Sequence, residues 1–182
     1  MNDDVVMKDM DKSLRYVTEK ITPVFKKIAS EWDLIPVEGN SNEICKLLDM
    51  SCGVDYLMRS EKHDFVYGIA SRVQYGTNYR TFTVRKERES GALTEFNKRV
   101  QAISIGAIYP HYTMQSYIVN DNVAGLAIIK TSDLMDFIKQ GYAVQRCTNA
   151  DKIGQAWFFV CKWDSIKQYG YKVFEFNGSD KS

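Results

Sequence analysis

The sequence predicts an α/β (α+β) fold: one domain with a central mixed β-sheet flanked by helices. Three observations predict it. Apolar residues at helical spacing open the chain and return later. Between them stand β-rich runs bounded by turn signals. No repeat or low-complexity linker divides the 182 residues, so 1–182 is read as a single unit. With 45% hydrophobic and 13% aromatic residues, a chain of this length can bury a core.

The elements follow in order. Met7, Met10, Leu14, Val17 and Ile21 recur at helical spacing, which gives an amphipathic helix. Pro23 bends or restarts it, and the helical region spans 8–31. In "WDLIPVEG", Pro36 and Gly39 argue for a short edge strand or loop. "SNEICKLLDMS" reads as one or two helical turns. Strands follow over 53–58 and 65–75; the polar connector "RSEKHD" is short enough for a hairpin. A third strand over 79–86 comes after "YGTN", and the three are expected to be consecutive neighbours. Leu93, Phe96, Val100 and Ile103 place a helix over 92–104, whose other face carries Glu95, Lys98 and Arg99. "YTMQSYIV" and "VAGLAIIK" are two more strands, joined by the turn Asn120-Asp121-Asn122. "TSDLMDFIKQG" has helix start and stop chemistry. "AWFFVCKW" reads as a buried strand, "DSIKQYG" as a helical turn and "YKVFEF" as a last strand.

A net charge of +1 says nothing by itself about partners. Its distribution says more: between Arg72 and Arg99 seven basic residues face three acidic ones, with Tyr75, Tyr79 and Phe82 interleaved. Cations beside aromatic rings suit a phosphate backbone with unstacked bases, although a solvated strand and helix face has the same composition. Arg72, Arg80, Arg85, Lys86 and Arg88 are the candidate nucleic-acid contacts. Cys45, Cys52, Cys147 and Cys161 lack metal-ligand spacing and are expected as reduced core residues. No apolar run approaches the ~20 residues of a membrane span. With the acidic start Met1-Asn2-Asp3-Asp4, the expectation is a cytoplasmic protein with no membrane partner. His63 and His111 stand alone, and there is no Gly-rich phosphate loop, Ser/His/Asp signature or H-E-x-x-H.

Polar side chains interrupt two apolar-rich runs. Asp55 stands in "CGVDYL"; Arg72 and Gln74 stand in "VYGIASRVQ", on one face because strand side chains alternate. With the leading helix, the hairpin and the following polar-faced helix, this stretch resembles the PD-(D/E)xK nuclease superfamily over roughly residues 8–120. Residues 121–176 then form an extension. The resemblance implies a restriction-endonuclease-like α-βββ-α-β core and cleavage of DNA with Mg²⁺, the metal held by an aspartate and an acid on the next strand. The sequence departs from that pattern, since Arg72 and Gln74 stand where the acid and lysine belong. Gln offers a neutral oxygen; Arg holds phosphate but cannot act as a base. Some members place the missing acid on the following helix, which points to Glu95, with Lys98 one turn on.

The candidate catalytic set is therefore Asp55, Arg72, Gln74, Glu95 and Lys98, with Asp55 and Glu95 as Mg²⁺ ligands. Plainer roles stand beside these: Asp55 as a turn residue after Gly53, Arg72 and Gln74 facing solvent, and Glu95 paired with Arg99 or Lys98 on a helix surface. Three functions are expected in consequence. The first is a divergent DNA nuclease, a hydrolase of mobile-element or restriction-type biology. The second is an inactive nucleic-acid- or protein-binding module of the same fold. The third is a small interaction protein with no nucleic-acid role. A homodimer is compatible with each.

Overall fold

The computed structural model describes residues 16–37, 42–60, 62–88, 90–148 and 156–178. Val17, Ile21 and Phe25 recur every four residues and are all buried, which fixes the leading helix against a sheet. It opens as a π-helical turn, Val17–Ile21, and runs on as α1 (Thr22–Ile28). Pro23 sits in the first turn of α1, where its missing N–H is tolerated. The expected helical positions 8–15 lie outside the described residues.

The remaining order is β1 (Asp33–Pro36), α2 (Glu43–Cys52), β2 (Tyr56–Arg59), β3 (Val66–Tyr75), β4 (Thr81–Arg88) and α3 (Glu95–Ile105). Then come β5 (Tyr112–Val119), β6 (Asn122–Lys130), α4 (Thr131–Lys139), β7 (Val144–Thr148), β8 (Ala156–Lys162), α5 (Trp163–Gln168) and β9 (Val173–Asn177). α2 is longer than two turns: the Asn42 side chain accepts a hydrogen bond from the Ile44 N–H, and Gly53, at φ +67°, ends the helix. Gly53 thus closes a helix rather than opening the expected strand over 53–58, and Asp55 falls in the link before β2.

Six strands form a mixed sheet in the order β1-β2-β3-β5-β6-β9, in which β3 and β5 are parallel and the other neighbours antiparallel. β1, with Pro36, is an edge strand as expected. The expected run of three neighbouring strands holds for β2 and β3 only. β4 belongs to a second, three-stranded sheet of order β4-β8-β7. The loop between β3 and β4 supplies the reason. Gly76 (φ +97°) and Arg80 (φ +51°) turn the chain, and Asn78 pins it by donating to the Ala124 carbonyl and accepting from the Arg80 N–H. β4 leaves this loop one layer above the first sheet.

The six-stranded sheet is buried on both faces. On one, Tyr56, Met58, Ile69, Met114, Ile118, Leu126 and Ile128 pack against Val17, Ile21 and Phe25. On the other, Tyr117, Ala127 and Ile129 meet Phe82 and Val84 of β4, Phe159 and Cys161 of β8, Trp163, and the apolar side of α4. The Tyr117 hydroxyl joins the two sheets: it donates to the Thr81 carbonyl (2.8 Å) and accepts from the Thr81 N–H (3.2 Å). Among the described residues no helix is long and apolar enough to cross a membrane.

All four cysteines are free; Cys161 is buried and the others are partly exposed. Burial pushes the Cys161 thiol up to about 12, so it stays protonated and unreactive at neutral pH. Cys161 is expected to resist iodoacetamide at pH 8 in the native protein and to react only after denaturation, with peptide mass spectrometry as the readout. Labelling of Cys161 as fast as Cys45 would contradict this placement.

Candidate functional site

Strand alternation and register define two polar surfaces that meet at β4, where the Thr83 hydroxyl bonds both Arg72 and Gln115. On the first sheet, Arg72 lies opposite Gln115 and Gln74 opposite Tyr117, so Arg72, Gln74 and Gln115 share one face. On the second sheet, Thr81 pairs with Lys162, Thr83 with Val160 and Arg85 with Phe158; Arg146 also pairs with Phe158. These residues form the side of the second sheet that turns away from the Phe82 and Val84 core. Between the surfaces runs a cleft of about 530 Å³, lined by Arg72, Gln74, Tyr79, Thr81, Thr83, Arg146, Phe158 and Lys162 among others. No carboxylate is among the described residues that line it.

Arg72 and Thr83 also line an adjoining inner cavity of about 280 Å³, with Asp55, Ser71, Arg85, Glu95, Arg99, Thr113 and Gln115. Its polar groups form a chain of hydrogen bonds. Glu95, at the first position of α3, accepts from Arg72 (2.9 Å) and Arg99 (2.7 Å), and receives the Arg85 backbone N–H (3.3 Å). Arg72 also donates to the Thr83 hydroxyl, which donates to the Gln115 carbonyl oxygen, both at 3.3 Å. Arg99 donates to the Thr113 hydroxyl (3.3 Å), itself 3.0 Å from the Thr131 hydroxyl. Asp55, directly before β2, accepts the Ser71 N–H at 2.5 Å.

Arg99 is 7% exposed. Burial lowers its pKa, and the carboxylates of Glu95 and Asp55 oppose that shift; a guanidinium stays charged across the ordinary pH range. Arg72 and Arg85 both lie 5.5 Å from the centre of the Phe158 ring, a cation–π arrangement at the junction of the two cavities. Among the groups that line this cavity, the Gln115 side-chain nitrogen and the Ser71 hydroxyl have no hydrogen-bond partner among the described residues. Gln115 is 1% exposed. Buried donors of this kind are satisfied in nearly every folded protein.

The structure thus brings Asp55, Arg72 and Glu95 to one cavity and puts Gln74 in the adjoining cleft. Lys98 is exposed on the outer side of α3 and lines neither. Of the other basic candidates, Arg85 lines the inner cavity. Arg80 is held elsewhere, by Asn177, Asp164 and Glu175, with its guanidinium 5.5 Å from the Trp163 ring centre. Lys86 donates to Gln145 on the opposite face of β4 (2.8 Å). The Arg88 side chain lies outside the described residues. Sequence reasoning missed Arg146, Lys162 and Phe158, which come from the last third of the chain, and Gln115 and Thr113. The alternation in "YTMQSY" and "AWFFVCK" identifies their faces only once the pairing of each strand is known.

Among the described residues no group of three or more His, Cys, Asp or Glu side chains is placed to hold a metal ion. Asp55 is engaged by a backbone N–H and Glu95 by two guanidiniums. Three arginines against two carboxylates make an environment that suits an anion better than a divalent cation. Comparison with protein-family models, curated proteins and solved structures found no match for the chain.

Proposed function

We propose that the protein is a nucleic-acid-binding module that holds backbone phosphate between its two sheets. One observation carries the reading. The guanidiniums of Arg72, Arg85 and Arg99 converge on one cavity with two unsatisfied donors, and that cavity adjoins a cleft edged by Arg146 and Lys162 with no carboxylate among its described lining residues. Guanidiniums match the geometry of phosphate oxygens, and aromatic side chains beside them accommodate bases.

Metal-dependent cleavage is the second reading, favoured by Asp55 and Glu95 lining one cavity. It requires Glu95 to exchange Arg72 and Arg99 for a cation.

The test is fluorescence anisotropy with labelled DNA and RNA from ~50 to ~200 mM salt, where phosphate binding weakens by orders of magnitude as counterions are released. Arg146→Ala and Lys162→Ala, both at exposed positions, should each weaken binding and reduce the salt slope by about one. Binding that ignores salt or both substitutions would remove this reading. In parallel, wild-type protein and Asp55→Asn are incubated with plasmid and linear DNA and with RNA in Mg²⁺ or Mn²⁺. Cleavage by the wild type alone would put the nuclease in place of the binding module.

A further inference from the structure

We infer that the cleft between the sheets takes an unpaired strand, so that the protein distinguishes single-stranded from duplex nucleic acid. This rests on the nucleic-acid reading above and names its substrate class.

Three observations carry it. The first is shape. Proteins that read duplexes insert a convex helix or ribbon into a groove ~12 Å wide, whereas here the polar surface is a half-open cleft lined by residues of both sheets. At about 530 Å³ the cleft falls in the range of small-molecule sites, ~300–1,000 Å³. That is room for one or two nucleotides entering the protein, not for a duplex.

The second is the aromatic lining. Tyr79 stands at the cleft with 58% of its surface exposed. Its ring meets that of buried Tyr117 edge-on at 6.5 Å, which orients it from beneath. An exposed, oriented ring is a stacking platform, and only an unpaired base can swing out of its own stack to use it.

The third is the buried donor. The Gln115 side-chain nitrogen in the inner cavity has no partner among the described residues, although the same amide's oxygen accepts from Thr83. It is a donor left for an acceptor that comes from outside. A phosphate oxygen lying among Arg72, Arg85 and Arg99 satisfies it while the adjacent base reaches Tyr79 through the shared opening at Arg72 and Thr83.

The experiment measures anisotropy of one labelled oligonucleotide as a single strand and as a blunt duplex of the same sequence, at one salt concentration. The single strand should bind at least ~10-fold tighter, the scale of one base–aromatic stack. Tyr79→Ala should remove most of that preference; Tyr79→Phe, which keeps the ring, should restore it. A thermal melt of each variant confirms that it is folded. Equal or tighter duplex binding would overturn the inference while leaving the nucleic-acid reading standing. So would a single-strand preference that survives Tyr79→Ala. Binding of neither probe would take down both.

Discussion

Replacing Glu95 by alanine is expected to destabilise the protein by about 3–5 kcal/mol, the consequence of leaving a buried charge without its partner. Arg99 is shielded from water on α3, and Glu95 gives it a 2.7 Å ion pair one helical turn away. The same carboxylate holds Arg72 and accepts the Arg85 N–H, so truncation frees three donors at once. In a chain of this size each kcal/mol moves the midpoint by ~2–4 °C, and Tm should fall by roughly ten degrees. Lys98→Ala on the exposed side of the same helix should leave Tm within about 1 °C, as surface substitutions do. The decisive comparison is Glu95→Gln with Arg99→Met, which removes both charges and keeps volume. The double variant should recover much of the stability lost in Glu95→Gln, since apolar replacement of a buried pair is often neutral. Chemical denaturation of the wild type, Glu95→Gln and the double variant measures this. A Glu95→Ala protein as stable as wild type would mean that the carboxylate sits at the surface.

Trp163→Ala is the second large loss expected, about 3–5 kcal/mol, as for other truncations of a buried aromatic. Trp163 is fully buried where α5 begins, with ring centres of Phe82 and Tyr117 6.0 and 5.9 Å away. The Trp163 backbone N–H donates to the Arg80 carbonyl, and the Arg80 side chain covers the ring. One residue therefore packs the first sheet, the second sheet and the loop between β3 and β4. The cavity left by truncation cannot collapse without moving one sheet toward the other. The melt should show a lower midpoint, and nucleic-acid affinity should fall as well, because the cleft depends on the spacing of the sheets. A large stability loss with affinity intact well below Tm would place the cleft on a separate rigid unit.

Local chemistry in the sequence was enough for most elements, because helical spacing, turn residues and caps act over a few positions. Asn42, Gly53, Gly106 and Gly141 all mark helix ends or turns by such means. The strand β7, "VQRCT", was missed because it is an exposed edge with no apolar alternation to betray it. The departure of β4 was missed for another reason. Its pattern of Phe82 and Val84 against Thr81, Thr83 and Arg85 fits either sheet, and the choice is made by Asn78 anchoring on β6. For the site, Asp55, Arg72 and Glu95 were legible as polar residues in otherwise apolar or helical settings. Their arginine partnership was legible only in part: Arg99 follows Glu95 by one turn, but the bond between Arg72 and Glu95 depends on a parallel crossover that returns α3 to the sheet.

The pairing of β4 with β8, in which Thr81 lies opposite Lys162, sets an order of assembly. The hairpin of β2 and β3 and the hairpin of β5 and β6 close over short loops, while β4 must wait for a partner nearly half the chain away. Loop-closure entropy and topology make such a contact late. On the ribosome the inter-sheet cleft therefore has one wall before it has two, and β4 emerges with Phe82 and Val84 uncovered. The second wall waits for β8, and the interval before β8 arrives is when the chain is most exposed to aggregation and to chaperones.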